Sequence, residues 1–100
     1  MNILITARKF KARQGLKDFI SSEVSTLKKY NDDILSADVK LSYLNSKDSI
    51  KNAEIILHVP GQTLNATEES DDFEKSVSRA VEKLSRQLKK LKTKRTLKVR

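Results

Sequence analysis

The chain of 100 residues has no cysteine and no tryptophan, and contains one histidine, one proline and two glycines. Each shortage closes off a class of function. Without cysteine there are no disulfides and no thiolate metal sites. Gly15 and Gly61 stand too far apart to build a glycine-rich phosphate loop. A lone histidine, His58, makes neither a zinc site nor a nucleophilic triad, and on its alternating segment it reads as a solvent-facing strand residue. Metal ligands, cofactors and catalytic residues are therefore not expected. The acids from Glu68 to Glu74 lack the spacing and central glycine of a calcium loop. No apolar run approaches transmembrane length, and MNILITARKF turns basic too early for a secretory signal, so a cytoplasmic protein is expected.

What is abundant is positive charge, and it is segregated. The net charge is +8. From Met1 to Glu74 there are ten Lys/Arg against twelve Asp/Glu; from Lys75 to Arg100 there are eleven against Glu82 alone. A second basic cluster, Arg8, Lys9, Lys11, Arg13 and Lys17, follows the first apolar stretch. Separation of this kind is the electrostatic footprint of a polyanion partner.

The hydrophobic pattern predicts β-α-β-β-β-α. Ile3, Ile5 and Ala7 alternate with Asn2, Leu4, Thr6 and Arg8 over Asn2–Phe10, a strand. From Gln14 to Tyr30, Leu16, Phe19, Ile20, Val24, Leu27 and Tyr30 recur at helical spacing, and Asn31-Asp32-Asp33 stops the run. Ser36–Leu44 and Ala53–Val59 alternate as strands, joined by a polar, mobile loop over Asn45–Asn52. Pro60-Gly61 has type II turn chemistry and leads to a weaker strand, Gln62–Thr67. In the last segment Phe73, Val77, Ala80, Val81, Leu84, Leu88 and Leu91 form an apolar helical stripe. Ser70, Asp71 or Asp72 caps it, Asp71 with Glu74 having capping-box spacing, and a tail begins at about Thr93. The economical packing is an α+β domain: a four-stranded mixed sheet with both helices on one face and solvent on the other.

The stretch EKLSRQLKKLKTKR, Glu82–Arg95, decides what the domain binds. Its leucines, with Val77 and Val81, alternate spacings of four and three as in a coiled coil, but the run is short and the sheet needs a cover. With the leucines inward, Lys75, Arg79, Lys83, Arg86 and Lys90 line the outer face, widened by Lys89, Lys92, Lys94 and Arg95. Solvated helix faces interleave acids, and on the helix only Glu82 interrupts this one. Phosphate is the fitting partner. A membrane fits less well, with no tryptophan or exposed apolar wedge. No helix-turn-helix or finger pattern points to DNA, and Phe19, Phe73 and Tyr43 read as core residues rather than a base-stacking pair. Backbone and shape recognition of folded RNA remains.

Three stretches carry a family resemblance: ITARKFKARQGLKDFISSEVSTLKKY, KNAEIILHVPGQTLNATEES and DFEKSVSRAVEKLSRQLKKLKTK. In this order they resemble the ribosome hibernation-promoting factor family, from Ile3 to about Lys94. Where that family often has Gly-Arg after the first strand, this chain has Ala7-Arg8. The resemblance implies a fold like a double-stranded-RNA-binding domain. It implies a monomer that binds the small ribosomal subunit and its ribosomal RNA between head and body, idling ribosomes under stress or in stationary phase without chemistry. It implies RNA contacts by Arg79, Lys83, Arg86, Gln87, Lys89, Lys90 and Lys92, with Lys94 beside them, and by Arg8 and Lys9. Residues 1–95 would be the ribosome-binding domain and 96–100 a short basic tail, the short form without the second domain that pairs ribosomes. The competing expectations are a general duplex-RNA binder and a protein-interaction adaptor that uses its basic helix.

Overall fold

The computed structural model describes residues 1–44 and 50–98, with side chains of the last helix described as far as Leu91. Strands β1 (Asn2–Ala7), β2 (Ser36–Tyr43), β3 (Lys51–Val59) and β4 (Gln62–Ser70) form one sheet in the order β1-β2-β3-β4. β1 and β2 run parallel, as a helical crossover between them requires; the other pairs are antiparallel. Helices α1 (Gln14–Ser25) and α2 (Phe73–Lys98) cover one face, α2 lying over β3 and β4. This is the α+β plan that the periodicities predict.

Alternation explains the sheet. In β3, Ala53, Ile55, Leu57 and Val59 are buried while Glu54, Ile56 and His58 face the open side. Val39 and Leu41 of β2 join them, and Ile20, Val24 and Leu27 close the core from α1 and the 3-10 turn Thr26–Lys29 that follows it. Among the described residues nothing covers the other sheet face, and Leu4 there is 63% exposed. The β3–β4 hairpin turns on Pro60-Gly61, with Gly61 at φ 87, a value that favours glycine.

Several boundaries differ from expectation for physical reasons. β1 stops at Ala7, because Lys9 adopts φ 64, a left-handed conformation costing a non-glycine residue about 1 kcal/mol. The first helix tightens into the 3-10 turn before Tyr30, and Asn31 Oδ1 accepts the Asp33 N–H at 2.7 Å to end it. β3 begins at Lys51, so Lys51 and Asn52 are strand rather than loop, and residues 45–49 of the expected loop lie outside the described residues. β4 continues to Ser70, which moves Glu68 and Glu69 from the helix cap into the strand. Asp72, not Asp71, caps α2, accepting the Glu74 N–H at 3.4 Å. The helix also runs to Lys98, past Thr93 where a tail was expected.

Two buried or half-buried polar contacts lock the helical layer. Ser76 Oγ donates to the Lys51 carbonyl at 2.8 Å and lies 2.7 Å from Ser70 Oγ, fixing the start of α2 against β3 and β4. Ser78 Oγ donates to Glu23 Oε1 at 2.8 Å and ties α2 to α1.

Candidate nucleic-acid interface

α2 places its apolar stripe inward: Phe73, Val77, Ala80, Val81, Leu84 and Leu88 are all buried. The helical period then forces Lys75, Arg79, Lys83, Arg86 and Lys90 outward, and each is exposed. The outer surface is less uniform than the helix sequence alone suggests. Lys83 is ion-paired with Glu68 of β4, Arg86 with Glu82, and Lys75 with Asp71 at 3.1 Å. The hydrogen bond and charge of Lys75 hold the Asp71 carboxyl below the usual carboxylate range. Among the described residues Arg79 and Lys90 have no acidic partner.

The expected contact residues therefore fall into separate groups. Arg79 and Arg86 stand outward on α2, Arg86 beside Glu82. Lys83 leans to the β4 side through Glu68, and Lys90 shares that side with Gln62 and Leu64 in the wall of a cleft. Gln87 is on the same flank, where its Nε2 donates to the Asn65 carbonyl at 2.9 Å and fastens α2 to the edge strand. Lys89 points the other way, with Nζ 5.2 Å from the Tyr30 ring centre; Lys29 sits 5.3 Å from the same ring. The side chains of Lys92 and Lys94 lie outside the described residues.

Arg8 and Lys9 belong to the opposite end. The Arg8 N–H donates to the Leu41 carbonyl at 2.9 Å, and Phe10, just beyond, stacks on Phe73 at the start of α2 with ring centres 5.1 Å apart. Lys90 lies about 25 Å further along the helix axis at the α-helical rise. The basic groups that sequence reasoning joined are thus split between the two ends of α2. Sequence reasoning also missed Glu68, Asn65, Lys29 and Tyr30. Glu68 reads only as part of the acidic run before α2 and Tyr30 as part of the first helix's apolar stripe; the Lys28-Lys29-Tyr30 run was the one signal for Lys29, and Asn65 had none.

His58 lies on the open sheet face as expected, with Nε2 3.2 Å from Asp38 Oδ2 across β2 and β3. Among the described residues no group of three His, Asp or Glu is placed to hold a metal, and no helix is long and apolar enough to cross a membrane.

Fold and surface together define a small α+β domain with a basic helical layer and an open sheet face. Residues 3–96 match the family described as sigma 54 modulation protein / S30EA ribosomal protein, and the chain belongs to that family. It is 28% identical over 91 residues to a ribosome hibernation promotion factor of Deinococcus radiodurans, covering 89% of this chain and 48% of that protein. It is 30% identical over 94 residues to a ribosome hibernation promoting factor of Azotobacter vinelandii, covering 94% and 85%. The chain spans about half the length of the first curated relatives it matches. The crystal structure of the Thermus thermophilus Protein Y N-terminal domain superposes with a TM-score of 0.81 at 29% identity, over 91% of this chain and 99% of that one. A ribosomal subunit interface protein from Coxiella burnetii superposes with a TM-score of 0.84 at 27% identity, over 93% and 99%.

Proposed function

We propose that this domain is a ribosome hibernation factor that binds the small subunit between head and body. There it covers the places of messenger and transfer RNA and silences translation under stress or in stationary phase. The observation that carries the reading is the outward basic row of α2, in a chain whose family match extends over residues 3–96. It acts in the cytoplasm as a monomer and without chemistry, by occupying space. Residues 1–95 form the ribosome-binding unit, and 96–100 extend it with further positive charge.

The surface acts in two ways. Among the described residues Arg79 and Lys90 hold no acid, so phosphate meets them at no cost in broken pairs. Lys83 and Arg86 must release Glu68 and Glu82 before they contact phosphate, and only the surplus of that exchange reaches affinity. Each neutralised phosphate adds about 0.7–0.9 to the slope of log affinity against log salt. Arg79 and Lys90 are therefore the pair to reverse. An Arg79→Glu/Lys90→Glu variant, shown folded by circular dichroism, should lose about tenfold or more in cosedimentation affinity for small subunits. Unchanged cosedimentation would remove α2 from the interface.

A further inference from the structure

The basic cluster after β1 surrounds a feature that a phosphate-only surface does not need. Phe10, Tyr43 and Phe73 form a ring cluster: Phe10 stacks on Phe73 at 5.1 Å and 13°, and Tyr43 meets both edge-on at 5.0 and 5.3 Å. Phe73 is buried as a core residue, but Tyr43, expected in the core with it, keeps part of its surface in solvent, as does Phe10. They line a cavity of about 310 Å³ together with Leu16 and the exposed Lys11 and Arg13. Lys51 adds a third cation, its Nζ 5.7 Å from the Tyr43 ring centre.

The backbone next to this cluster is strained. Lys9, at φ 64, turns the chain at the end of β1 so that Phe10 folds back onto Phe73 while Arg8 and Lys9 stay exposed. Strain of this kind persists where the surroundings over-determine it, and it collects at ligand sites. Of the acids at this end, Asp71 pairs with Lys75 and Asp72 caps α2, while Glu74 stands exposed in the first turn of the helix. Lys11 and Arg13, by contrast, have no acidic partner among the described residues.

From this arrangement we infer that the Phe10–Tyr43 cleft is a single-nucleotide site. It takes one unstacked base of a single-stranded RNA against its rings, with Lys11, Arg13 and Lys51 meeting the flanking phosphates. The volume lies at the small end of ligand sites, room for one planar heterocycle rather than a peptide strand. Partly exposed aromatic rings beside arginine and lysine are what base stacking needs, and stacking tolerates any sequence. The inference rests on the RNA-binding reading, and it adds a second contact at the end of the domain opposite Lys90.

The test uses the full chain and a short oligoadenylate, followed by NMR. The site predicts nuclear Overhauser contacts from adenine protons to the Phe10 and Tyr43 rings. Phe10→Leu, which keeps apolar bulk but removes the ring, should weaken binding about tenfold, as should Lys11→Glu/Arg13→Glu. A Thr63→Ala variant, exposed on β4 opposite His58 and away from the rings, should keep its oligoadenylate affinity. Equal affinity for an abasic strand of the same length would overturn the site, as would shifts confined to α2 or no binding. The wild-type contacts and the exposed Lys11/Arg13 pair keep the test decisive if Phe10→Leu fails to fold. Because no ribosome enters the experiment, failure here leaves the α2 reading to its own cosedimentation test.

Discussion

Gln87 shows how one residue changes role between a helix sequence and a fold. On α2 it sits among Arg86, Lys89 and Lys90 and reads as one more polar contact to RNA. In the structure its amide is spent on the Asn65 carbonyl, an edge-strand acceptor with no neighbouring strand on its outer side. Gln87→Ala should therefore cost about 0.5–1.5 kcal/mol in denaturant unfolding and change ribosome affinity little. A loss of ribosome affinity with stability unchanged would return Gln87 to the interface. Glu68 carries the converse case. It reads as part of an acidic run before the helix, yet from β4 it holds Lys83. Glu68→Gln frees that ammonium for phosphate and should tighten small-subunit binding by a factor of about two to five, the worth of a surface ion pair. Weaker binding in that variant would mean that the pair itself is the recognised surface.

Among the elements, α2 is the most legible in sequence and the most demanding in structure. Its period of 3.6 shows in Val77, Val81, Leu84 and Leu88 because a sheet-covering helix must bury a stripe, whatever it binds outside. Leu84 is fully buried over β3 and β4, so Leu84→Ala should cost about 2–5 kcal/mol by chemical denaturation. A cost below 1 kcal/mol, order of magnitude, would contradict that packing. Strand ends were harder to read. Lys51, Asn52, Glu68 and Glu69 are polar on both sides of the alternation, and they pair only because the opposite strand supplies partners: Lys51 faces Ser70 and Asn52 faces Glu69. The cap was ambiguous because Ser70, Asp71 and Asp72 all qualify by type, and only the bend out of β4 selects Asp72. The basic row was legible for the same reason as the stripe, being its complement. Its acid partners were not, since Glu68 reaches Lys83 from another element.

On the scale of the molecule, charge and layer coincide. The helical layer carries the basic row, while the open sheet face presents Asp38, Glu54 and Glu69 with Lys40 as its lysine. Such a body meets a polyanion with one side only, which suits insertion into an RNA cleft better than wrapping along a duplex. The central claim is that the domain occupies the decoding channel of the small subunit, and sucrose-gradient sedimentation with vacant ribosomes and separated subunits tests it most directly. The gradients are run at near-physiological salt, with excess duplex RNA as competitor, and repeated with messenger and transfer RNA prebound. Migration with small subunits and whole ribosomes that resists the duplex, and disappears once messenger and transfer RNA are in place, is the predicted result. Displacement by any duplex, or binding that persists on the filled ribosome, would contradict it.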